Sequence, residues 1–373
     1  MRASSLLYGL VAAASSVSAY HHAKSINYTV VTGIFQQDDA ATDPSTFNFL
    51  TSNFGLINRT YPSDSSCPDR KHSTQWQRLA HYISTLNRKA PRNERYTLFF
   101  MGRHGEGFHN AAESYFGTPA WNCYWSELDG NGTVTWADAK LTIDGIEQAK
   151  VVNKFWNHLI KDEKITPPET FYTSPLYRCL DTAKITFEGV KLPRKNSFVP
   201  VVKEFLREGI SAHTCDRRHS KSFIKKNFPG FKFEKGFAEE DPYWTELFAE
   251  PRANQDARSK AVLDDILSND DSTYISISSH SGEIGSLLRG MFPFLPSPLR
   301  RRLVLTKPQF LATASSVFRL VLLSLFWSRH RRSMLLRLLL RLCRIHRRRR
   351  ARRRLLSATR AAMTARAVLE RIV

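Results

Sequence analysis

Apolar and polar positions change between helical and strand spacing several times along the middle of this chain. Apolar side chains from Trp76 to Leu86 recur at helical spacing and predict a helix over residues 75–86. A short apolar run then predicts a buried strand at residues 96–101. A second helix is predicted over residues 141–160, with Thr142 as its N-cap. The other predicted elements are strands at residues 171–173, 198–202 and 274–278, a helix that runs through Ala183, and a helix over residues 283–292.

The alternation of strands with helices is typical of α/β proteins, in which the helices connect parallel strands. We therefore predict a domain with a largely parallel sheet. A length of 373 residues permits one or two domains with a substantial core.

The N-terminal residues have a different pattern. Arg2 precedes an apolar stretch at residues 6–14, and small residues at 17–19 form a cleavage site before Tyr20. The apolar stretch is too short to span a bilayer. We therefore predict a secretory signal peptide at residues 1–19, rather than a buried helix, and a protein that is secreted or retained in the secretory pathway or cell wall.

Two further features agree with secretion. Asn27, Asn58 and Asn131 each begin an Asn-x-Thr glycosylation sequence, which is used only in the secretory pathway. Four of the five cysteines precede residue 299, and an oxidising compartment permits two disulfides among them in three possible pairings. The cysteines show no CxxC spacing, so we expect no metal site, and the sequence gives no reason to expect a cofactor.

The formal net charge of +21 at first suggests a nucleic-acid or membrane partner. The charge is unevenly distributed, however. Residues 299–373 contain 21 of the 55 Lys and Arg residues and a single acidic residue, Glu370. Since the preceding residues are almost neutral, we expect neither nucleic acid nor a stable membrane partner for them.

Polar clusters follow four of the predicted strands. They are Gly-Arg-His-Gly-Glu-Gly-Phe-His-Asn at residues 102–110, Ser-Pro-Leu-Tyr-Arg-Cys at 174–179, Leu-Arg-Glu-Gly at 206–209 and Ser-His-Ser-Gly-Glu at 279–283. The carboxyl ends of parallel strands lie at one edge of a sheet, where α/β proteins bind their ligands. We therefore expect these four clusters to converge on one site.

Two histidines, two arginines and a glutamate at one site suit phosphoryl transfer. A neutral imidazole can attack phosphorus, and planar guanidinium groups match the phosphate oxygens. A protonated carboxyl can donate its proton to the leaving oxygen and then act as a base toward water. None of the short motifs is specific alone, and their joint placement after successive strands is what favours this chemistry.

Arg103-His104-Gly105, Arg178, Glu208 and His280 in these clusters resemble the histidine phosphatase, or phosphoglycerate mutase-like, superfamily. Residues 103–110, 120–125, 128–132 and 213–218 are more similar to a fungal branch that includes phosphomutase-like acid phosphatases. The resemblance extends over residues 28–298. It implies a three-layer α/β sandwich with a central, mostly parallel sheet flanked by helices, in a domain at residues 20–298 with an N-terminal extension at 20–95.

The resemblance also implies a role for each matching residue. His104 is expected to be the phosphorylated nucleophile and Glu208 the proton donor. The residues expected to bind the phosphoryl group are Arg103, Arg178 and His280, together with Asn110. Glu106 fits an ordinary loop residue as well as a catalytic one, and the aromatic cluster Trp121, Tyr124 and Trp125 fits a core better than a substrate mouth.

The predicted function is phosphomonoester hydrolysis of a small phosphorylated substrate through a phosphohistidine on His104. A phosphoglycerate-type phosphomutase and a non-catalytic protein that binds phosphorylated ligands are the alternatives. The phytase type of histidine acid phosphatase is excluded, because it has Arg-His-Gly-x-Arg-x-Pro and a His-Asp pair, whereas this chain has Glu106-Gly107-Phe108 and His280-Ser281.

Residues 299–373 differ abruptly in composition from the rest. Residues 310–313 resemble the start of the superfamily's closing strand, after which Arg and Leu dominate. We favour an aberrant tail, translated from a wrong frame or a mispredicted exon, or disordered. In that case the last strand is missing, a sheet edge is exposed and the chain is expressed poorly. The alternatives are a membrane anchor at residues 310–327, which Arg319 opposes, and a tail that binds nucleic acid or another anionic surface.

Overall fold

The structure, a computed structural model, describes residues 26–39, 41–43 and 45–291 in full and residues 318–327 as backbone. The strands in these ranges are β1 (Ile26–Val30), β2 (Glu94–Arg103), β3 (Thr170–Thr173), β4 (Val201–Val202), β5 (Lys232–Phe233), β6 (Tyr274–Ser279) and β7 (Phe318–Trp327). They form one sheet in the spatial order β1-β7-β2-β6-β3-β4-β5. Strands β2, β6, β3, β4 and β5 run parallel, and β7 is antiparallel to both of its neighbours.

Helices cover both faces of this sheet. Those in the described ranges are α1 (Gln75–Lys89), α2 (Phe108–Phe116), α3 (Thr118–Cys123), α4 (Ile143–Lys161), α5 (Tyr177–Phe187), α6 (Lys221–Asn227), α7 (Arg252–Asn269) and α8 (Ser281–Met291). The predicted α/β sandwich with a mostly parallel central sheet is confirmed.

The alternation of side chains along β2 explains the two hydrophobic layers. Leu98 and Phe100 point to one face of the sheet, where they pack in a core formed with α1 and α4. Phe99 and Met101 point to the other face, where they pack against α7 and α8. Because successive side chains of a strand alternate between its faces, a strand buried on both faces is apolar throughout. This is why the run at residues 96–101 has no polar positions at alternate residues.

The predicted elements differ from the observed ones mainly at their ends. The helix predicted from residue 141 begins at Ile143, because Thr142 is the N-cap and its hydroxyl accepts a hydrogen bond from the Gly145 N–H at 3.1 Å. The strand predicted at 198–202 is reduced to Val201–Val202. Helix α7 was not predicted, because its polar residues are distributed around the helix and obscure the apolar positions.

Strand β7 corrects one expectation about the tail. We expected the last strand of the sheet to be missing if the tail is aberrant, yet residues 318–327 lie in the sheet between β1 and β2. A ten-residue segment rich in Leu and Phe can satisfy its backbone hydrogen bonds there. No helix among the described residues has the length and apolar character to cross a membrane.

The four cysteines of the main domain are all free thiols, so the two disulfides permitted by the sequence are not formed. Cys179 and Cys215 are buried, whereas Cys123 is exposed. The predicted signal peptide and most of the tail lie outside the described residues. The chain divides into a unit at residues 1–328 and another at 329–373, and the second is also outside the described residues.

Candidate active site

Three of the four predicted clusters lie at the carboxyl ends of strands that pair directly. β6 lies between β2 and β3, so that Arg103 is opposite Ser279 and Thr173 is opposite Ser278. His104 follows β2, Ser174 follows β3 and His280 follows β6. The adjacency of these parallel strands therefore places the three clusters side by side, as expected.

His104 lies at the centre of this site with its ring almost completely buried. Its Nδ1 lies 2.6 Å from the Gly105 carbonyl oxygen, which accepts only if Nδ1 carries the proton. The Arg178 Nε–H then donates to the Nε2 lone pair at 3.2 Å. The two contacts select one tautomer, in which Nε2 is the nucleophilic atom.

Arg178 is a fully buried residue of α5, and residues 215 and 216 hold it in place. Its Nη1 donates to the Cys215 carbonyl at 2.6 Å, and its Nη2 pairs with Asp216 Oδ1 at 3.4 Å. Ser211 in turn donates to Asp216 Oδ2 at 2.5 Å. These partners fix the guanidinium plane beside His104, and Asp216 balances part of its charge.

His280 lies beside His104, with the two ring centroids 5.0 Å apart. Its Nε2 is 2.8 Å from Ser174 Oγ and 3.3 Å from the Cys179 sulfur. Ser174 also accepts the Leu176 N–H at 3.3 Å, so its hydroxyl is oriented by the turn that begins α5. The ring of His280 is therefore fixed by two neighbours contributed by the strand β3 cluster.

Arg103 and Asn110 complete the predicted phosphate-binding group. An Arg103 Nη2 donates to Asn110 Oδ1 at 3.4 Å, and the Gly107 N–H donates to the same oxygen at 3.1 Å. Asn110 thus connects the end of β2 with the first turn of α2. The structure brings together Arg103, His104, Asn110, Arg178 and His280 as the sequence predicts.

Glu208 reaches the same site from the segment that follows β4. Its carboxylate accepts the Gly209 N–H at 3.0 Å and the Gly282 N–H at 3.2 Å. A methyl group at Gly282 would lie 2.2 Å from Glu208 Oε1, so only glycine leaves room for the carboxyl. Glu208 is also close enough to Arg103 for its charge to affect the pKa of that guanidinium.

The surroundings of the nucleophile and of the carboxyl shift their pKa values in opposite directions. Burial, followed by the positive charges of Arg103 and Arg178, lowers the pKa of His104 well below its usual value. Burial raises the pKa of Glu208 above its usual value, against two backbone hydrogen bonds that lower it. A neutral imidazole and a carboxyl that keeps its proton to a higher pH are the two states that nucleophilic attack with leaving-group protonation requires.

Glu106 and the aromatic residues take structural positions. The Glu106 carboxylate accepts from the Thr142 hydroxyl at 2.8 Å and so fastens the loop after β2 to α4. Trp121 is buried in a small aromatic cluster, and Trp125 stacks on Phe116 with ring centroids 4.1 Å apart. Tyr124 is 57% exposed. Trp121 and Trp125 are therefore packed residues, as the interpretation of this cluster as core anticipated.

His213, Cys215 and Asp216 are the described residues that come closest to forming a metal-ligand set, with their ligand atoms within 4.8 Å of one another. Asp216 of this set already pairs with the Arg178 guanidinium. Burial also raises the pKa of the Cys215 thiol well above its usual value, so it is not available as a thiolate. These three residues are therefore better suited to holding Arg178 in place than to binding a cation.

A family model described as the histidine phosphatase superfamily (branch 1) matches residues 100–309, more than half of the chain. The chain belongs to the histidine phosphatase superfamily. Residues 100–309 contain all of the site residues described above.

Fungal proteins are among the relatives of this superfamily member. It is 48% identical over 263 residues to a protein of Arthroderma benhamiae named "Probable phosphoglycerate mutase", covering 70% of this chain and 78% of that protein. It is 42% identical over 193 residues to Phosphomutase-like protein 3 of Candida albicans, covering 51% and 58%. A mycobacterial glucosyl-3-phosphoglycerate phosphatase of solved structure is 20% identical, with a TM-score of 0.33, covering 57% of this chain and 85% of that one. The family and its fungal relatives support a phosphatase or mutase activity.

Several residues at this histidine phosphatase site were missed in the sequence. Asp216, Ser174 and Gly282 act through hydrogen bonds or free space that only the folded chain creates. His109 lies with its ring centroid 5.4 Å from that of His104, and its buried Nδ1 has no hydrogen-bond partner among the described residues. The one signal for His109 was its place in the 102–110 cluster, which did not distinguish it from a structural histidine.

Proposed function

We propose that this protein hydrolyses phosphomonoesters through a phosphohistidine on His104. The observation that carries the proposal is the placement of a neutral, single-tautomer imidazole close to both Arg178 and His280. The lone pair of Nε2 accepts a hydrogen bond from the Arg178 Nε–H. An incoming phosphate oxygen can accept this hydrogen bond instead. The nucleophile and its charge stabilisers are therefore arranged before substrate arrives.

In the first step, Nε2 of His104 attacks phosphorus and the bond between phosphorus and the leaving oxygen breaks. The electron pair of that bond stays on the leaving oxygen, which takes the proton of Glu208. Arg103, Arg178 and His280, with Asn110, bind the non-bridging oxygens, whose negative charge is spread widely in the transition state. The products of this step are phosphorylated His104, the released alcohol and an ionised Glu208.

In the second step, water attacks the phosphorus of phosphohistidine and the P–N bond breaks. The Glu208 carboxylate accepts a proton from this water, so the carboxyl returns to its protonated state. The Nε2 electron pair returns to His104, and inorganic phosphate leaves. The same residues therefore serve both steps, with Glu208 acting first as acid and then as base.

A mutase is the second candidate, because fungal relatives carry phosphoglycerate mutase and phosphomutase names. It shares the phosphohistidine but returns the phosphoryl group to a substrate hydroxyl instead of water. The two activities differ in what they require. Hydrolysis releases phosphate without added phosphoglycerate, whereas a mutase converts one phosphoglycerate isomer into another and depends on a priming bisphosphate.

The first test is the hydrolysis of p-nitrophenyl phosphate by the wild type and by His104→Ala, from acid to neutral pH and without added metal. We expect the variant to lose at least about 1,000-fold in kcat, since it lacks the nucleophile. His72→Ala is the matched control, because this histidine is exposed and pairs only with Asp69. Substantial activity in the His104 variant would exclude the proposed intermediate.

The same preparation separates hydrolase from mutase. Acid-quenched samples with radiolabelled substrate should contain acid-labile label on the wild-type chain and none on His104→Ala. Interconversion of 2- and 3-phosphoglycerate that outpaces phosphate release would favour the mutase. Absence of both reactions in a folded sample would favour the non-catalytic alternative.

We further propose that the chain enters the secretory pathway. The support is the signal-like sequence at residues 1–19 together with the exposure of Asn27, Asn58 and Asn131. In a eukaryotic host, glycosidase treatment of the secreted product should reduce its apparent mass, and Asn-to-Gln substitutions should remove the effect site by site. Retention of the full-length, unglycosylated chain in the cytosol would contradict this proposal.

A further inference from the structure

We propose that Arg258 is a positioning residue that fixes the proton-donor segment, residues 205–210, and so controls protonation of the leaving group. This inference rests on the proposed function, because it assumes that Glu208 is the acid. Arg258 lies on α7, outside the four clusters, and nothing in the sequence associates it with the reaction.

The guanidinium of Arg258 binds three carbonyls of that segment. Its Nη1 donates to Phe205 O at 2.8 Å and to Arg207 O at 2.9 Å, and its Nη2 donates to Glu208 O at 2.7 Å. One rigid, planar group therefore fixes the backbone on both sides of the Glu208 peptide. A lysine has one nitrogen in place of the three of a guanidinium, so it cannot reproduce this set.

Glu250 binds the C-terminal end of the same segment. Its backbone N–H donates to Ile210 O at 2.6 Å, and its carboxylate accepts the Ile210 N–H at 3.0 Å. The same carboxylate accepts from Arg258 Nε at 2.9 Å. Arg258 and Glu250 together leave the segment little freedom on either side of Glu208.

Glu283 connects Arg258 to the helix that follows His280. The Glu283 carboxylate is fully buried and accepts from Arg258 Nη1 at 3.0 Å and from Ser259 Oγ at 2.7 Å. The preceding residue, Gly282, is the one whose N–H donates to the Glu208 carboxylate. Arg258 thus aligns the two segments that meet at the Glu208 carboxyl, and an error in that alignment moves the acid relative to His104.

Arg218 provides a matched control elsewhere in the fold. It is also buried, pairs with one buried carboxylate, Glu204, and donates to carbonyl oxygens of residues 219 and 238–240. None of these carbonyls belongs to residues 205–210. Glu204 also pairs with Arg207, so Arg218 reaches the segment through one side chain but binds none of its carbonyls. Substitution of Arg218 therefore tests the loss of a buried arginine that leaves the backbone hydrogen bonds of residues 205–210 in place.

The experiment compares p-nitrophenyl phosphate with phenyl phosphate, two substrates of similar shape. The p-nitrophenolate leaving group is a weak base and needs little protonation, whereas phenolate is a much stronger base and depends on the acid. The quantity measured is the ratio of kcat/KM for the two substrates, because kcat/KM covers only the steps up to release of the alcohol and not the shared hydrolysis of phosphohistidine. It is determined for wild type, Glu208→Gln, Arg258→Lys and Arg218→Lys, with thermal melts to establish that each variant is folded.

We expect Glu208→Gln and Arg258→Lys to lower kcat/KM for phenyl phosphate about 10-fold more than kcat/KM for p-nitrophenyl phosphate, which is part of the roughly 100- to 10,000-fold that general acid catalysis contributes. Arg218→Lys should leave the ratio within about 2-fold of wild type, since Arg218 donates to carbonyls of residues 219 and 238–240 and to none of residues 205–210. Equal losses on both substrates for Arg258→Lys, alongside a selective loss for Glu208→Gln, would overturn the positioning role and leave the acid assignment intact. A non-selective loss in Glu208→Gln would instead refute the acid, and the inference with it.

Glu283→Gln is the second variant, used if Arg258→Lys does not fold. The amide keeps the volume of the side chain while it removes one of the two negative charges that hold Arg258. The same selective loss is expected, smaller in size. An unchanged ratio in folded Glu283→Gln would count against the role of Arg258 in positioning the acid.

Discussion

At the scale of single residues, the site works because each reactive group has its state set by its immediate neighbours. Gly105 and Arg178 select the tautomer of His104, and burial beside positive charge keeps the ring neutral. Burial also keeps the Glu208 carboxyl protonated to a higher pH than in water. The two opposite pKa shifts, histidine down and glutamate up, define the pH range in which both groups are in the reactive form.

The pH dependence of the reaction follows from these shifts. We expect kcat/KM for phenyl phosphate to fall as pH rises through the raised pKa of Glu208, because the acid loses its proton. The lowered pKa of His104 means that the nucleophile stays neutral into the acid range, so activity persists below pH 6. Dividing by the rate for p-nitrophenyl phosphate removes the shared ionisation of phosphate, and in Glu208→Gln the alkaline decline of this ratio should be absent. A ratio that is flat with pH in the wild type would contradict the assignment.

Gly282 should be essential for the position of Glu208. In Gly282→Ala the new methyl group overlaps the Glu208 carboxyl at 2.2 Å, and a flexible side chain moves more easily than backbone. We expect kcat/KM for phenyl phosphate to fall about 10-fold with little loss of thermal stability. Gly290→Ala on the same helix has open space around it and should keep full activity. Wild-type kinetics in Gly282→Ala would show that Glu208 does not need this position.

At the scale of elements, the site depends on how closely the loop after β2 approaches the start of α4. A methyl group at Gly145 would lie 2.0 Å from the Glu106 carbonyl oxygen, and one at Gly105 would lie 2.4 Å from the Gly145 carbonyl oxygen. Two glycines thus face each other across the junction. Thr142, which is both the N-cap of α4 and a donor to Glu106, fastens it. The position of His104 therefore depends on a helix forty residues further along the chain.

Gly145→Ala should destabilise the protein although alanine is the better helix former. The gain in helix propensity is about 1 kcal/mol, whereas a backbone overlap of this size costs up to about 3 kcal/mol. We expect a net loss of about 2 kcal/mol in the free energy of unfolding and a Tm lower by about 5 °C. Gly290→Ala is again the control and should not lower the Tm. A Tm equal to that of wild type would mean that the loop after β2 and the start of α4 can move apart without loss of stability.

At the scale of the whole molecule, stability is coupled to pH through buried carboxyls. Burial raises the pKa of Glu283 to about 7, with Arg258 and Ser259 opposing the shift. A carboxyl whose pKa is raised in the folded state stabilises the fold below its unfolded pKa, and this contribution is lost as pH rises through the folded pKa. For Glu283 that window extends from about pH 4.5 to about pH 7.

We therefore expect the free energy of unfolding to decrease across this window, with Glu283 contributing about 3 kcal/mol at most. In Glu283→Gln this contribution disappears, so the decrease between pH 4.5 and 7 should be shallower. Urea unfolding at several pH values measures the difference. Parallel curves for the two proteins would show that Glu283 keeps its ordinary pKa in the fold.

The sequence alone determined the α/β class, the main strands and helices of the central domain, and the residues that meet at the site. It could do so because those properties depend on local periodicity, and because parallel strands bring their carboxyl ends together. Strand β5 escaped prediction and β4 was predicted too long, since two residues carry no period. The sequence also permitted disulfides that the fold does not form, because the distance between thiols is set by packing.

Only the tertiary structure decided how the reactive groups are held. The support of Arg178 by Asp216, the space at Gly282 and the three carbonyls bound by Arg258 join residues that lie far apart in the chain. It also placed residues 318–327 as a strand between β1 and β2, a position that the sequence pattern did not predict. Hydrogen bonds and close approaches of this kind depend on distances in space, which the order of residues along the chain does not specify.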